Sequence, residues 1–570
     1  MREEIQETSW KRKSGLYFEP IQQSKEKAIM KEMIRNPIIP GFYPDPSICR
    51  VGEDYYLVCS SFELSPGIPL FHSRDLANWE QLCYVLTPQN GFYVDKNCGN
   101  GGVMAPTIRY HNGTFYIINC NFSDKGNFIV TAKNPAGPWS APHFLDDVPG
   151  IDASIFFDRD GKCYIMGTAN NWPDGKGGLR QGIWAAEYDI EHFRLASEPA
   201  ALWGGAMAGV ASPESPHIYH IGDWYYLLIA EGGTEMYHSA TVARSRSVLG
   251  TYESNPSNPI LTMRHMGKKA LIQNAGHADL IDTGDGGWYA VFLASRLIGG
   301  VSKNLGRETF IVPVEWEDEW PLFTQQTGKV EWEYPLPKSL SWSPVKERPV
   351  RDEFDSPELS MDWCFWGSDG EQFPVRTEEG LELPCLQPSL ADPLRPMSME
   401  AERPQNNSLA FVCRRRREPR CRFSCRMRFA PLLSESAGIA VVQAMNHQFH
   451  LELACVDGKT VVQLVQFTAD YALPPYIPGF TSTTNRTVLA SAPFDGEEIV
   501  LEMEMDENRY IFRYGREKSS LTELACADGA VINPEKVGCM VGEMLGLFAS
   551  GNGKKTENHA LFCWSEYENL

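Results

Sequence analysis

Long apolar runs are missing from this chain. No stretch approaches the roughly 18 consecutive apolar residues that a membrane-spanning helix needs, so no membrane is expected as a partner. Residues 1–35 are rich in Lys and Glu and lack the continuous apolar segment of a secretory leader. There is no CxxC pair, and the 15 cysteines are an odd, scattered set. Both a thiolate metal site and a disulfide framework are therefore poorly supported, and reduced packing thiols in a cytoplasmic protein are the expectation. Positive charge is also short. Against 73 Asp and Glu stand 52 Lys and Arg, a net charge of −21 whose field repels nucleic acid and anionic membrane surfaces.

What is present is enough for two globular parts. A chain of 570 residues with 43% hydrophobic residues exceeds what one core usually organises. Aromatics make up 11%, which suits sugar handling and any aromatic-rich β protein alike. One basic cluster stands out: Arg414 to Arg417, then Arg420, Arg422, Arg426 and Arg428. Between Cys421 and Phe429 the arginines alternate with apolar residues, the period of a strand with one wet face. That pattern predicts a solvated sheet face rather than a polyanion site. A short helix over Gln22 to Arg35 is compatible with the sequence.

From about Asn36 to Phe323 one unit recurs five times. Each copy opens on a short strand: Asp45-Pro46-Ser47-Ile48, Ala105-Pro106-Thr107-Ile108, Asp152-Ala153-Ser154-Ile155, Ser215-Pro216-His217-Ile218 and His277-Ala278-Asp279-Leu280. A turn rich in Gly, Asp or Asn follows, then an aromatic-rich second strand such as Tyr55-Tyr56-Leu57-Val58 or Phe115-Tyr116-Ile117-Ile118. From the aliphatic residue of the first strand to the matching tyrosine is eight or nine residues each time. Third strands are read at His72 to Leu76 ending at Trp79, Thr131 to Pro135 ending at Trp139, and Ala243 to Ser247 ending at Tyr252. Short strands with turn signals at a repeat of roughly 50 to 65 residues predict the blades of a β-propeller. The expected organisation is all-β: an extension (1–35), a five-bladed β-propeller (36–325), a proline-punctuated linker (326–350) and a β-sandwich (351–570).

In a propeller the first residues of the innermost strands form a ring around one end of the central channel. Here those points are Asp45, Ala105, Asp152, Glu214 (one residue before strict register) and His277. Taken singly, each carboxylate could cap a turn or sit on the surface. Three at matched positions in different blades converge on one cavity. Glycoside cleavage with inversion requires such a set, because a base must deprotonate water and an acid must protonate the leaving oxygen, about 6.5–9.5 Å apart. A third carboxylate raises the acid's pKa by like-charge repulsion.

These residues carry a resemblance. Asn36-Pro37-Ile38-Ile39-Pro40-Gly41-Phe42-Tyr43-Pro44-Asp45-Pro46-Ser47 resembles the opening of glycoside hydrolase family 43. Ile151-Asp152-Ala153-Ser154, Pro213-Glu214-Ser215-Pro216-His217, Gly276-His277-Ala278-Asp279-Leu280 and Leu305-Gly306-Arg307-Glu308-Thr309-Phe310 resemble its later motifs. The resemblance runs from about residue 36 to the C-terminus. It implies Asp45 as general base, Asp152 as pKa modulator and orienter, Glu214 as general acid, and inversion. It also implies Phe62 as an aromatic wall, Met104 in the pocket at a position where xyloside-cleaving relatives commonly carry Trp, and Arg296 as a sugar-hydroxyl ligand. A sandwich loop near Met540 to Leu547 would close one side of the pocket. His277 matches a channel histidine that orients water or lies near a bound calcium in some relatives; no cofactor is required, and a structural calcium there is left open.

The implied activity is exo-hydrolysis of terminal β-D-xylose or α-L-arabinofuranose from hemicellulose oligosaccharides, with the two sugars not separated and homo-oligomerisation left open. Retaining fructosidase-like propellers need an Arg-Asp-Pro element that the repeat region lacks. A non-catalytic sugar-binding propeller is the remaining alternative, but a binder has no need of a split acid and base.

Overall fold

The computed structural model describes residues 32–570 apart from 94–100, 123–124, 174–176, 208, 325–326, 369–374, 392–407, 472–481 and 539. Most of the segment compatible with a helix, Gln22 to Arg35, lies outside the described residues. Its end does not continue a helix. Met33–Arg35 is a strand paired antiparallel with Glu333–Pro335, so the extension and the linker hold each other. Asn36 seals the junction, its amide donating to the Ile311 carbonyl (2.8 Å) and its side-chain oxygen accepting from the Ile311 N–H (2.8 Å).

Five antiparallel sheets form the five-bladed propeller. Their inner strands are Ser47–Val51, Val103–His111, Ile151–Phe157, Glu214–Ile221 and Ile272–Asp282. The aromatic-rich second strands are Asp54–Val58, Thr114–Asn121, Cys163–Pro173, Trp224–Glu231 and Trp288–Arg296. Both faces of these strands are covered, which is why they read as near-continuous apolar runs. Side chains alternate across a strand, so successive residues serve opposite neighbours. Tyr55 and Leu57 pack with blade 5, while Val58 packs with blade 2. Leu227 faces blade 3, and Tyr226 and Leu228 face blade 5. A fifth apolar layer, around Ile118, Ile155 and Trp184, joins blades 2 and 3.

The third strands begin earlier than the sequence reading placed them: Gly67–Ser73, Gly126–Ala132 and Ser239–Ser245. The recurring residues there mark the turn that follows. In each copy an aromatic side chain donates back to a backbone carbonyl, Trp79 to Leu76 (3.0 Å), Trp139 to Pro135 (3.2 Å) and Tyr252 to Val248 (2.9 Å). A turn motif of that kind has its own sequence signature, which the strand reading absorbed.

Two eight-stranded sheets face each other in the C-terminal part, over a core that includes Phe423, Leu451, Phe512 and Leu547. One sheet is completed by the propeller itself: Leu64–Ser65 pairs with Cys364–Trp366 at its edge. No helix among the described residues is long and apolar enough to cross a membrane.

The arginine cluster divides in two. Arg422, Arg426 and Arg428 lie on the wet face of Arg420–Arg428, paired with Glu504 (3.0 Å), Glu517 (2.7 Å) and Glu498 (2.9 Å). Arg414, Arg415 and Arg416 do not share that face. They are buried: Arg415 is covered by the propeller and donates to the Phe42 carbonyl, while Arg414 and Arg416 are held inside the sandwich by Asp362 and Glu543.

Candidate active site

Asp45, Ala105, Asp152, Ser215 and His277 each hold a left-handed backbone, with φ between 52° and 55°. Non-glycine residues rarely adopt it, at a cost of roughly 1–3 kcal/mol each, and such strain clusters at functional sites. Its fivefold recurrence shows that these are equivalent positions, where each inner strand leaves the channel mouth. Strict register in blade 4 falls on Ser215, and Glu214 precedes it.

Two residues further along, the same face of each inner strand presents Ser47, Thr107, Ser154, His217 and Asp279. Asp279 accepts from the Ser47 hydroxyl (2.6 Å) and from the Arg109 guanidinium (2.9 and 3.1 Å), and Arg109 also reaches His217 (3.1 Å). Blades 1, 2, 4 and 5 therefore close the channel with a buried polar plug beneath the ring.

Above the plug lies a cavity of about 540 Å³ lined by Asp45, Asp152, Glu214, His277 and Arg307. Phe62, Met104, Phe122 and Met540 form its apolar wall. Phe62 is fixed by stacking on Phe42, ring centroids 5.5 Å apart. Met540 comes from the sandwich, in the segment that the resemblance assigned to pocket closure.

The carboxylates differ electrostatically. Burial pushes the Asp45 carboxyl up, but Arg307, His277 and the Ser60 hydroxyl outweigh it and hold the group below its ordinary value. Arg307 Nη1 donates to Asp45 Oδ1 at 3.0 Å, Ser60 Oγ donates to Oδ2 at 2.6 Å, and His277 Nδ1 lies 3.5 Å from Oδ1. Glu214 is pushed up to about 8, by burial first and then by the Asp152 charge. Asp152 is also raised, by burial, against the pull of His277 and of the Ser215 hydroxyl that donates to it at 2.7 Å. At neutral pH one wall of the cavity carries a carboxylate and another a carboxylic acid.

Arg296 is not part of this cavity. It stands at the end of the second strand of blade 5, and its donors are consumed by Glu308 (2.7 and 2.9 Å), Glu418 (2.9 Å) and the Arg417 carbonyl (2.5 Å). The cationic residue in the cavity is Arg307, which a loop returns to the channel. Beyond Asp45 it donates to Thr234 Oγ1 (3.0 Å) and lies over the Phe62 ring, 5.6 Å from its centroid, and its buried Nε and Nη2 have no hydrogen-bond partner among the described residues. Donors so placed are free for ligand hydroxyls. Arg307 lies inside the motif from Leu305 to Phe310, whereas the resemblance implied Arg296 as the sugar-hydroxyl ligand. Ser60, Ser215 and Thr234 carried no signal of their own, since a serine or threonine before or within a strand is common.

At His277, Nδ1 meets Ser215 Oγ (3.1 Å) and lies 3.5 Å from Asp45 Oδ1, and among the described residues no group of three or more His, Cys, Asp or Glu side chains is placed to hold a metal ion.

A blind pocket with an aromatic wall, an ionised carboxylate and a protonated one defines an enzyme that cleaves glycosidic bonds. Comparison with known proteins agrees. The family model described as glycosyl hydrolases family 43 matches residues 34–321, and that of the β-xylosidase C-terminal concanavalin A-like domain matches 351–568. A xylosidase/arabinosidase of Butyrivibrio fibrisolvens is 40% identical, over 94% of this chain and 99% of its own. A non-reducing-end α-L-arabinofuranosidase of Bacteroides ovatus is 36% identical, over 95% and 96%. The crystal structure of a xylan β-1,4-xylosidase from Bacillus halodurans superposes with a TM-score of 0.83 at 28% identity, covering 94% of this chain and all of that one. The chain belongs to glycosyl hydrolase family 43 and is a glycoside hydrolase.

Proposed function

We propose that the protein is an inverting exo-glycosidase that releases a terminal β-D-xylosyl or α-L-arabinofuranosyl residue from hemicellulose-derived oligosaccharides. The observation that carries this reading is the meeting of Asp45, Asp152 and Glu214 in one cavity, where Arg307 and Ser60 bond Asp45 and favour its ionised form while burial and the Asp152 charge favour the protonated form of Glu214. Asp45 takes a proton from water as that water attacks the anomeric carbon, and Glu214 gives its proton to the departing glycosidic oxygen. Asp152 keeps Glu214 protonated until the bond breaks. Arg307 binds sugar hydroxyls with its two free donors, and Phe62 and Met104 pack against the ring. A plug below and Met540 beside the pocket leave room for a chain end, not for a chain running through. These residues suffice for the chemistry without a cofactor. The names of the relatives include both sugars, which supports the pentosyl class. We place the enzyme in the cytoplasm, acting on imported oligosaccharides; the thirteen described cysteines are free thiols, nine of them buried, which suits a reducing compartment.

The test compares kcat/KM on an aryl β-xyloside and an aryl α-L-arabinofuranoside, with the first-formed anomer followed by NMR. An inverted product on at least one substrate is expected. A retained anomer would replace the base by a nucleophile and overturn the proposal.

A further inference from the structure

The sandwich does more than close the pocket with Met540. Behind Arg307 lies a fully buried ion pair, Arg416 Nη1 to Glu543 Oε2 at 2.6 Å, which belongs entirely to the sandwich. Arg416 also donates to the Tyr510 hydroxyl (2.7 Å) and to the carbonyls of Glu418 (3.0 Å), Pro419 (2.6 Å) and Glu507 (3.1 Å), so its donors are spent. Tyr510 donates to Glu543 Oε1. Into this cluster the propeller sends one side chain, Asn304, three residues before Arg307. Its side-chain N–H group donates to Glu543 Oε1 (2.8 Å), the Tyr510 oxygen (2.9 Å) and the Gly529 carbonyl (2.9 Å), while its backbone carbonyl accepts from the Glu543 N–H (2.9 Å).

Between these anchors the two backbones touch. A Cβ on Gly306 would lie 2.6 Å from the Val541 carbonyl oxygen, and one on Gly542 would lie 2.8 Å from the Leu305 carbonyl oxygen. On the other side of Arg307, Glu308 is clamped by Arg296, which itself is held by Glu418 and the Arg417 carbonyl of the sandwich. The backbone of Arg307 is therefore bracketed by two sandwich contacts, while its guanidinium donates to Asp45 and Thr234 and lies over the Phe62 ring.

We propose that the Arg416–Glu543–Tyr510 cluster, acting through Asn304, is a positioning device for the reaction proposed above: it sets where Arg307 sits against Asp45. A charge buried with every donor and acceptor satisfied is rigid, because any displacement leaves a polar group unpaired in a dry environment. Glu543, Arg416 and Asn304 act through Arg307 and touch no reacting atom. The inference rests on the assignment of Asp45 as base.

Asn304→Ala removes the side-chain bonds of the link while leaving the Glu543 N–H on the backbone carbonyl and the Arg416–Glu543 pair intact. With an activated aryl pentoside, kcat is expected to fall roughly 10- to 100-fold, the scale of a misplacement of about 1 Å. The acid limb of the kcat/KM profile should move to higher pH as Arg307 loosens from Asp45. Arg428→Ala, which breaks a surface pair with Glu498 and Glu379, is the control for a stability change alone. If Asn304→Ala does not fold, Asn304→Ser, whose hydroxyl is too short to reach Glu543, is measured in its place. A folded variant with unchanged kcat and an unmoved acid limb overturns the inference, whatever its melting temperature. An inert wild type would instead sink the assigned activity.

Discussion

Glu214→Gln separates the chemistry of the acid from its cost to the fold. The buried carboxyl releases its proton only near pH 8, against an ordinary value of 4.5. At 1.36 kcal/mol per pH unit this difference corresponds to about 5 kcal/mol between the two protonation states. The folded value is raised, so the unfolded chain ionises first. The stability that the protonated acid contributes is complete below about pH 4.5 and is lost as pH rises towards 8. Glutamine cannot ionise. The variant and the wild type should melt together at pH 4, and at pH 8 the variant should be the more stable, by up to about 5 kcal/mol. Melting curves from pH 4 to 9 measure this. Activity should move the other way. On an oligosaccharide, whose leaving alcohol must be protonated, the variant should lose about 10²- to 10⁴-fold. On a dinitrophenyl glycoside, whose leaving group departs as a stable anion, the loss should be far smaller. Equal losses on both substrates, or no gain in stability at pH 8, would refute the assignment of Glu214 as the acid.

Three further outcomes follow from the same geometry. Asp152→Asn removes the charge that, after burial, contributes most to raising Glu214, so the alkaline limb of kcat/KM should shift to lower pH. Arg307→Ala removes the largest influence lowering Asp45; the acid limb should rise in pH and KM should increase, both read from a pH series on the aryl pentoside. Arg296→Ala leaves Glu308 buried without its bidentate partner, and should cost about 3–5 kcal/mol in a denaturant titration. Its rise in KM should be smaller than the one expected for Arg307→Ala.

The propeller was legible because its signal is local and repeated. Five inner strands and five aromatic second strands kept their spacing, and two buried faces per strand forced a composition that turns and loops do not share. The rim carboxylates were legible for the same reason, since equal register in repeated blades puts Asp45, Asp152 and the neighbourhood of Glu214 on one ring. Reading third strands at Trp79, Trp139 and Tyr252 mistook a turn for a strand, as both carry a recurring aromatic.

What the chain order by itself determined, then, is what depends on short-range periodicity: the blades, the sandwich strands and the residues at the start of each inner strand. Tertiary structure alone decided which arginine enters the pocket. Arg296 and Arg307 are eleven positions apart in one blade, and the choice is made by Glu308 and by Glu418 from the distant sandwich. It also decided the fate of the arginine run, whose wet and buried members look alike until Asp362, Glu543 and the propeller's Phe42 carbonyl enclose the buried ones. Periodicity reports which face of a strand is apolar. Which charged groups meet across two domains depends on contacts between residues hundreds of positions apart, and no local pattern records those.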